Sequence, residues 1–311
     1  MDGRPEISVL ICAWNAVQDL PRLLDGLNRQ TLPAERFEVL VVDNGSTDET
    51  PRVVQDAAPL LGYRLRYLFE EKAGKTNALN AGIAGCAAPI IACTDQDCRP
   101  EPDWLEQVLR SFDDPQVGLL GGPGLSVFPE GIGADPVRAF LARRFLGDFE
   151  PFDEFGEVFD RNPPLGLNLS FRKEVAEKVG GFDPDLGPNP QRHLCREDTA
   201  FIRSAQARGY RVFYQPRAIV RHYIAEDRIS WRAIKKQAFE SGISAFRERY
   251  AARVAGSLPR KLAYTAVFSL ELAYSWLRLA VFAVDFRRRT VAHFRAVSVA
   301  GKLLGLWSRA R

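Results

Sequence analysis

Short apolar runs alternate with longer amphipathic segments along the first 122 residues. Five runs are mostly too continuous for a sheet with one solvated face, and they predict buried strands: residues 7–14, 37–44, 63–70, 89–96 and 117–122. Four intervening segments have helical spacing: residues 19–30, 47–58, 75–86 and 102–112. Ser46 and Glu49 have the spacing of a capping box for the second helix. The alternation predicts an α/β fold with a doubly wound, mostly parallel sheet.

Polar residues follow the predicted strands, where ligands of doubly wound sheets bind. These residues are Asn15 after the first strand, Asp43 and Asn44 after the second, Lys75 and Asn77 after the third, and Asp95 and Asp97 at the end of the fourth. Taken singly, Asn and Asp at such positions also make turns and helix caps, and a lysine at a helix start is often solvated. Their convergence on one edge predicts a ligand site there.

Asp95 and Asp97 are the most informative of these residues. Two carboxylates so close in sequence repel each other unless a cation or hydrogen-bond donors lie between them. Residues i and i+2 of an extended segment point to the same side. The pair therefore suits a hard divalent ion bound partly by substrate oxygens, with a turn that binds no ligand as the alternative interpretation.

Two common nucleotide-binding motifs are absent. Residues 74–76 are Gly-Lys-Thr after a strand, but a P-loop needs a glycine five residues before Gly74, and that position is Phe69. No G-x-G-x-x-G follows the first strand, and the glycine-rich residues 121–124 place a proline where a dinucleotide-binding helix should begin. These departures exclude a P-loop enzyme and disfavour a dehydrogenase.

Five stretches together resemble the successive blocks of the family 2 inverting glycosyltransferases, which have the GT-A fold. They are VLICAWNAVQDLPRLLDGLNRQTLPAERFEVLVVDNGSTDET, GKTNALNAGI, CTDQDCRPEPDWL, LGLNLSFRKEVAEKVGGFDPDLG and REDTAFIRSAQARGYRVFYQPRAIVRH. One block alone is weak evidence, but five in the right order between residue 7 and about residue 250 are specific. One departure is local: relatives commonly end the first strand in Pro-x-Tyr-Asn, and this chain has Cys-Ala-Trp-Asn at residues 12–15.

The resemblance implies a nucleotide-diphospho-sugar donor, with a UDP-sugar favoured over a GDP-sugar, and Mg²⁺ or Mn²⁺ as cofactor. An ion between protein and phosphates stabilises the charge that develops on the leaving group. By this resemblance Asp97 is the direct metal ligand, and Asp95 supports the ribose and the metal shell. The other implied donor contacts are Asp43 at the base, Ala13 and Asn15 around the base, and Lys75 and Asn77 near the base or diphosphate.

Inverting transfer also requires a base that takes a proton from the acceptor hydroxyl. Glu197 and Asp198 begin a predicted helix, where acids are also favoured by the helix dipole whatever their function. In relatives the second acid of this pair commonly serves as base, which assigns Asp198, with Glu197 as neighbour or reserve. Many relatives have a histidine near the metal or diphosphate toward the end of the catalytic domain, and His222 matches its position in the sequence. A purely structural role for His222 is an equal alternative.

The loop at residues 187–195 contains Arg192 and His193 beside the expected base. An acceptor contact is one interpretation of these residues, and a solvated loop is the favoured one.

The chain lacks the Gln-x-x-Arg-Trp motif that processive synthases of the family usually carry, since residues 237–240 are Gln-Ala-Phe-Glu. It also lacks the uninterrupted apolar stretch of roughly 18 residues that a membrane span requires. We therefore predict transfer of a single sugar to a glycan or lipid-linked acceptor, in polysaccharide or glycolipid biosynthesis. The alternatives are a non-catalytic nucleotide-sugar-binding module and, less favoured, a sugar-phosphate nucleotidylyltransferase, which normally has a glycine-rich loop after its first strand.

Composition indicates an ordinary globular protein, with 311 residues of which 46% are hydrophobic and 26% charged. The five cysteines form no C-x-x-C pair, and the N-terminus lacks the pattern of a signal peptide, so we expect a cytoplasmic protein. The expected domains are a catalytic domain at residues 1–227 and a helical C-terminal region at residues 228–311. Within the former, residues 1–122 would bind the nucleotide sugar and residues 123–227 the acceptor.

Basic charge is concentrated at the C-terminus. Residues 285–311 contain seven Lys or Arg and one Asp, a formal charge of +6, whereas the whole chain carries +3. A nucleic-acid surface on the main domain is therefore not expected. Residues 262–284 are mostly apolar, but Glu271 and Arg278 interrupt them and disfavour a membrane span. We expect peripheral contact with the cytoplasmic face of a membrane; the alternative is a helical cap over the catalytic domain.

Overall fold

The fold is described from a computed structural model of the chain. The structure describes residues 4–132, 135–146, 149–158, 163–189, 192–193, 195–282 and 285–307. The chain forms two compact units. The first, here the sheet unit, comprises Met1–Val127, Gly147–Asp185 and Glu197–Tyr223, and the second, here the helical unit, comprises Phe128–Leu146, Leu186–Arg196 and Ile224–Arg311. The division into catalytic and C-terminal regions at residue 227 remains a prediction.

The strands of the described residues are short. They are β1 Ile7–Ala13, β2 Phe37–Asp43, β3 Arg64–Phe69, β4 Ile90–Asp95, β5 Cys98–Pro100, β6 Val117–Gly121, β7 Gly124–Val127, β8 Gly156–Glu157, β9 Leu169–Arg172, β10 Pro188–Asn189, β11 Arg192–His193, β12 Arg211–Tyr214 and β13 Val220–Tyr223. The five strands predicted from the apolar runs are confirmed as β1 to β4 and β6.

The helices are longer toward the C-terminus. They are α1 Leu20–Asn28, α2 Thr50–Ala57, α3 Lys75–Gly85, α4 Trp104–Ser111, α5 Pro136–Leu146, α6 Lys173–Val179, α7 Glu197–Gln206, α8 Trp231–Val254, α9 Leu258–Val281 and α10 Phe286–Trp307. The four predicted helices are confirmed as α1 to α4. The predicted capping box is wrong, because the Ser46 hydroxyl accepts the backbone N–H of Asn15 at 2.9 Å and α2 begins only at Thr50.

An eight-stranded sheet forms the centre of the sheet unit, in the order β3-β2-β1-β4-β9-β6-β12-β8. The pairs of β1 with β2 and β4, of β2 with β3 and of β6 with β12 are parallel. Strand β9 runs antiparallel between β4 and β6, and β8 runs antiparallel to β12. The sheet is therefore mostly parallel, as predicted, and its antiparallel strands come from the chain after β7.

Two hydrophobic layers cover the faces of this sheet. Ile7, Val9 and Ile11 of β1 belong to one layer, with residues of α1, α2 and α4. Leu10 belongs to the other, with residues of α3, α6 and α7. Burial on both faces explains the nearly continuous apolar runs of the central strands. Each fully buried aliphatic side chain stabilises the fold by roughly 1.5–3 kcal/mol.

A second, three-stranded sheet in the order β5-β13-β7 lies in the same unit. Strand β13 pairs antiparallel with β5 and parallel with β7. The backbone N–H of Tyr223 donates to the carbonyl oxygen of Asp97 at 2.9 Å. His222 is thus inside a strand, not after one as the sequence suggested, and this strand is tied to the turn that follows β4.

Helices α8 and α10 of the helical unit meet backbone to backbone at two glycines. A Cβ atom on Gly242 of α8 would overlap the carbonyl oxygen of Ser298, and one on Gly301 of α10 would overlap that of Phe239. Glycine permits this close approach because it has no side chain.

Replacing Gly301 by alanine should therefore lower the melting temperature, with a loss of about 1–3 kcal/mol typical of overpacking. Thermal unfolding followed by circular dichroism measures this change. The matched control is Gly156→Ala, because a Cβ at Gly156 meets nothing within 4 Å. An unchanged melting temperature for Gly301→Ala would contradict this prediction, because it would mean that α8 and α10 move apart without loss of free energy of unfolding.

Candidate functional site

The register of the parallel strands brings the predicted polar residues to one edge of the sheet. Ala13 lies opposite Asp43 in the β1–β2 pair, and Cys12 lies opposite Asp95 in the β1–β4 pair. The three strands therefore end together, and the residues that follow them surround the carboxyl end of the sheet. This is the edge at which the sequence predicted a ligand site.

Lys75 is the centre of an ion-pair network at this edge. Its Nζ atom donates to Asp95 Oδ1 at 2.6 Å and lies 3.6 Å from Glu197 Oε1. Burial alone would lower the pKa of Lys75, but the two carboxylates outweigh it and hold that pKa well above its usual value. Lys75 is therefore a fixed cation between two acids, and its alternative interpretation as a solvated helix-start lysine is not supported.

The loop before α3 holds Lys75 in place. The Asn44 side chain donates to the carbonyl oxygens of Glu70 and Lys72 and accepts the N–H of Gly74 at 2.6 Å. Gly74 has φ 124°, a conformation that favours glycine. Asn44 is therefore a structural clamp for the loop that positions Lys75.

Glu197 and Asp198 differ in their surroundings although they are adjacent. Glu197 is 5% exposed. Burial raises the pKa of its carboxyl above the usual value, and Lys75 opposes that rise. Asp198 is partly exposed, and its two oxygens accept the N–H groups of Gly166 at 2.8 Å and Thr199 at 2.6 Å. The Asp198 carboxylate is thus held in one orientation with access to solvent.

Asp97 lies in the turn between β4 and β5, not in an extended segment with Asp95 as expected. The reversal of the chain gives the two acids different partners: Asp95 contacts Lys75, and Asp97 Oδ2 lies 3.2 Å from His222 Nε2. His222 is 3% exposed, and its Nδ1 atom is buried without a hydrogen-bond partner among the described residues.

The described residues contain no group of three or more His, Cys, Asp or Glu side chains arranged to hold a metal ion. Asp97 and His222 together offer one carboxylate and one imidazole. These two donors are an incomplete set by themselves, so an ion there needs further ligands from a bound substrate or from water.

The residues predicted around the base have mainly structural contacts in this structure. Asp43 is fully buried and accepts from the Ser46 N–H and the Tyr67 hydroxyl. Asn15, at φ 49°, accepts the Thr47 N–H at 2.8 Å and so links the loops after β1 and β2.

Two further residues predicted near the donor also make local contacts. Ala13 is buried, and its carbonyl oxygen accepts the Asn44 N–H at 2.9 Å. The Asn77 side chain donates to the Ala73 carbonyl at 2.9 Å. It lies inside α3, whose N-cap is Gly74 with no side-chain cap bond, so the alternative role of Asn77 as a cap is not supported.

Several site residues were not predicted. The Gln96 side chain accepts the Trp14 N–H at 2.8 Å and donates to the Trp14 carbonyl at 3.2 Å, and the Trp14 side chain is 47% exposed. Gly166 orients Asp198 through its backbone. The only sequence feature that could have indicated Gln96 is its position between the two predicted acids. Gly166 acts through its backbone N–H, which every residue except proline has, so no sequence feature indicates it.

One pocket in the sheet unit is lined by residues from several of these elements. They include Cys12, Lys75, Asp95, Gly166, Glu197 and Asp198. Burial raises the pKa of the Cys12 thiol to about 12, so this residue stays protonated. Arg192 and His193 form β11, but their side chains are outside the described part of the chain.

Comparison with known proteins identifies the family. The profile of the family described as Glycosyl transferase family 2 matches residues 8–174, more than half of the chain. Glycosyltransferase AglE of Haloferax volcanii is 29% identical over 206 residues, which are 66% of this chain and 63% of that protein. The glucosyl-dolichyl phosphate glucuronosyltransferase of the same organism is 27% identical over 247 residues, 77% of this chain and 76% of that protein.

A third relative, validoxylamine A glucosyltransferase of Streptomyces hygroscopicus subsp. jinggangensis, is 37% identical over 58% of this chain and 48% of its own length. Solved structures resemble nearly the whole chain. The mannosyltransferase PcManGT from Pyrobaculum calidifontis, in complex with GDP-Man and Mn²⁺, has a TM-score of 0.66 at 21% identity over 98% of this chain and 88% of its own. The protein belongs to glycosyltransferase family 2 and has the GT-A fold.

Proposed function

We propose that the protein is a metal-dependent, inverting glycosyltransferase of the hexosyltransferase type. It moves a single sugar from a nucleotide-diphospho-sugar to a hydroxyl of a glycan or lipid-linked acceptor, in polysaccharide or glycolipid biosynthesis. The observation that carries this proposal is the gathering of Lys75, Asp95, Glu197 and Asp198 around one pocket at the carboxyl end of the sheet. A fixed cation beside a candidate base is the charge arrangement that transfer from a diphosphate requires.

Asp97 and His222 are the proposed metal ligands, with Asp95 supporting the metal shell. A carboxylate and an imidazole that face each other at 3.2 Å can both be ligands of one divalent ion, Mg²⁺ or Mn²⁺. The bound ion would supply positive charge to the leaving diphosphate. PcManGT was solved with Mn²⁺, which supports the same cofactor class here.

Lys75 is proposed to neutralise the donor diphosphate without changing its own protonation state, because its pKa is held high. Asp95 keeps the Lys75 ammonium group at the site through their 2.6 Å contact. The remaining proposed donor contacts are Ala13, Asn15, Asp43 and Asn77. The structures that resemble this chain include complexes with GDP-Man and with UDP-GlcNAc, and we propose a UDP-sugar for this protein.

Asp198 is the proposed general base. The acceptor oxygen attacks the anomeric carbon, the bond from that carbon to the diphosphate oxygen breaks, and the hydroxyl proton passes to the Asp198 carboxylate. Backbone N–H groups of Gly166 and Thr199 fix this carboxylate, and the Thr199 hydroxyl also donates to Oδ1 at 3.3 Å, so Oδ2 keeps a lone pair for the acceptor proton. Glu197 is the poorer candidate because it is buried beside Lys75.

The acceptor and location are proposed from the sequence and from the printed names of relatives. The name of one relative, glucosyl-dolichyl phosphate glucuronosyltransferase, includes a lipid phosphate. That name supports a lipid-linked acceptor for this protein. We propose that residues 1–227 catalyse transfer and that residues 228–311 contact the cytoplasmic face of a membrane. Transfer of one sugar, not processive synthesis, is supported by the missing Gln-x-x-Arg-Trp motif.

A donor panel tests the proposed activity. Purified protein is incubated with UDP-glucose, UDP-N-acetylglucosamine, UDP-glucuronate or GDP-mannose, with Mn²⁺, Mg²⁺ or excess chelator, and release of nucleoside diphosphate is measured. We expect one donor to be hydrolysed slowly without acceptor and to raise the melting temperature only when metal is present. No turnover or stabilisation with any donor, or full turnover in excess chelator, would reject the metal-dependent transferase.

A further inference from the structure

Helix α9 has an apolar face that is exposed to solvent. Between Leu262 and Val281 the exposed positions recur every three or four residues, and none of them is charged. Its large side chains are Leu262, Val267, Leu270, Tyr274, Trp276, Leu277 and Val281, each 48–72% exposed. At 100° and 1.5 Å per residue this α9 face covers about half of the helix circumference over about 29 Å.

The charged residues that interrupt this segment in sequence do not interrupt the α9 face. Glu271 is partly buried and accepts from Lys302 Nζ of α10 at 2.9 Å. Arg278 is also partly buried, with its guanidinium 5.2 Å from the Phe282 ring centroid. Both side chains leave the exposed side of the helix to apolar residues. A contiguous apolar surface of this size on a folded protein usually marks an interaction site.

Cations border the α9 face. Lys261 directly precedes the first residue of the α9 face, and its Nζ atom lies 5.8 Å from the Trp307 ring centroid. The guanidinium groups of Arg278 and Arg295 lie 5.9 and 5.8 Å from the ring centroid of Tyr274, which belongs to the face. Further exposed cations of α9 and α10 are Arg260, Arg288 and Arg289.

Acidic side chains do not offset these cations. Residues 258–311 contain ten Lys or Arg and two acids, Glu271 and Asp285. Both acids already have cationic partners, Lys302 for Glu271 and Arg288 for Asp285 at 3.2 Å. A second copy would bring the same positive charge to the face and be repelled, whereas an anionic surface is complementary in charge.

We propose that the α9 face is a docking surface for anionic lipid. The helix lies in the plane of the membrane interface with its apolar side chains among the acyl chains, and the bordering cations meet the headgroups. In the described part of the chain, no helix combines the length and hydropathy needed to cross a membrane. This inference rests on the membrane contact of the proposed function and specifies its face and its lipid class.

Vesicle sedimentation of the full-length protein tests the proposal. The vesicles contain phosphatidylglycerol with phosphatidylcholine, or phosphatidylcholine alone, at 0.1 M and 1 M salt. The test variant is Leu270→Glu, at a side chain 72% exposed. The matched control is Leu60→Glu, at a side chain 80% exposed in the sheet unit, so both changes add one charge to an exposed leucine.

We expect wild type and Leu60→Glu to bind the phosphatidylglycerol vesicles equally at 0.1 M salt. Leu270→Glu should reduce the partition coefficient by roughly tenfold or more, because it places a carboxylate among the acyl chains. Binding should weaken at 1 M salt and with phosphatidylcholine alone, since the headgroup attraction is screened or absent.

Several results would overturn the proposal. These are no binding of wild type to anionic vesicles, equal binding of Leu270→Glu and wild type, and binding that survives both high salt and alkaline extraction. A lipid-free dimer that Leu270→Glu dissociates would assign the face to a second copy instead. Vesicle binding needs neither donor nor metal, so its failure is distinguishable from failure of sugar transfer in the donor panel.

Discussion

Replacing Asp97 by asparagine is expected to reduce sugar transfer by at least ~10²-fold while the protein stays folded. Asparagine preserves the size of the side chain and one oxygen but removes the negative charge that faces His222. Loss of one main electrostatic stabiliser of the transition state typically costs about this much. The rate is measured with the best donor of the panel at saturating metal, and Mn²⁺ binding in the presence of nucleoside diphosphate is measured by calorimetry.

The matched control for this variant is Asp25→Asn, which removes an exposed acid of α1 whose contact is Arg29, the residue directly after that helix. Its transfer rate and Mn²⁺ affinity should equal those of wild type. Near-normal turnover of Asp97→Asn would refute the assignment of Asp97 as a metal ligand. Weak Mn²⁺ binding and a slow rate at an unchanged melting temperature would support it. A merely structural defect would lower the melting temperature as well.

Replacing Asp198 by asparagine is expected to slow transfer by roughly 10²- to 10⁴-fold, the usual contribution of a general base. Affinity for the nucleotide donor should stay close to wild type, since deprotonating the acceptor is not needed to hold the nucleotide. Asparagine keeps one oxygen for the Gly166 N–H but places its NH2 group against the Thr199 N–H, so the melting temperature is measured to check that the fold is retained. Single-turnover rates and donor titrations measure the two effects separately.

Glu197→Gln is the comparison for Asp198→Asn. Because Glu197 lies 3.6 Å from Lys75, its neutralisation should change donor affinity through that lysine. We therefore expect Asp198→Asn to change mainly the transfer rate and Glu197→Gln to change mainly the affinity for the donor. An active Asp198→Asn beside an inactive Glu197→Gln would exchange the two assignments.

The central strands were predictable because burial on both faces leaves nearly continuous apolar runs. The same rule does not identify β9 or β13, which have four residues each and whose pairing is fixed by distant parts of the chain. Local pattern also suggested a capping box at Ser46, but its hydroxyl bonds Asn15 from the neighbouring loop. Such tertiary hydrogen bonds override local preference and leave no mark in a short window of sequence.

The candidate site was predictable as an edge of the sheet but not as a set of contacts. The alternation rule placed Asp95 and Asp97 on one side, and it failed because the chain turns directly after Asp95. The contact of Lys75 with Glu197 joins two predicted residues, yet only the folded chain shows that the two are neighbours. Residue type and strand order therefore predict where the chemistry is, and tertiary packing decides which groups are paired.

The position of β13 has a consequence for the order in which the protein matures during synthesis. Strands β5 and β7 are made first, but each pairs with β13, so their sheet is incomplete until residues 220–223 arrive. The contact between Asp97 and His222 likewise cannot form until His222, 125 residues later, has been synthesised. Contacts between such distant residues form late in folding. A nascent chain therefore contains strands β1 to β4 well before it contains the Asp97–His222 pair proposed to hold the ion.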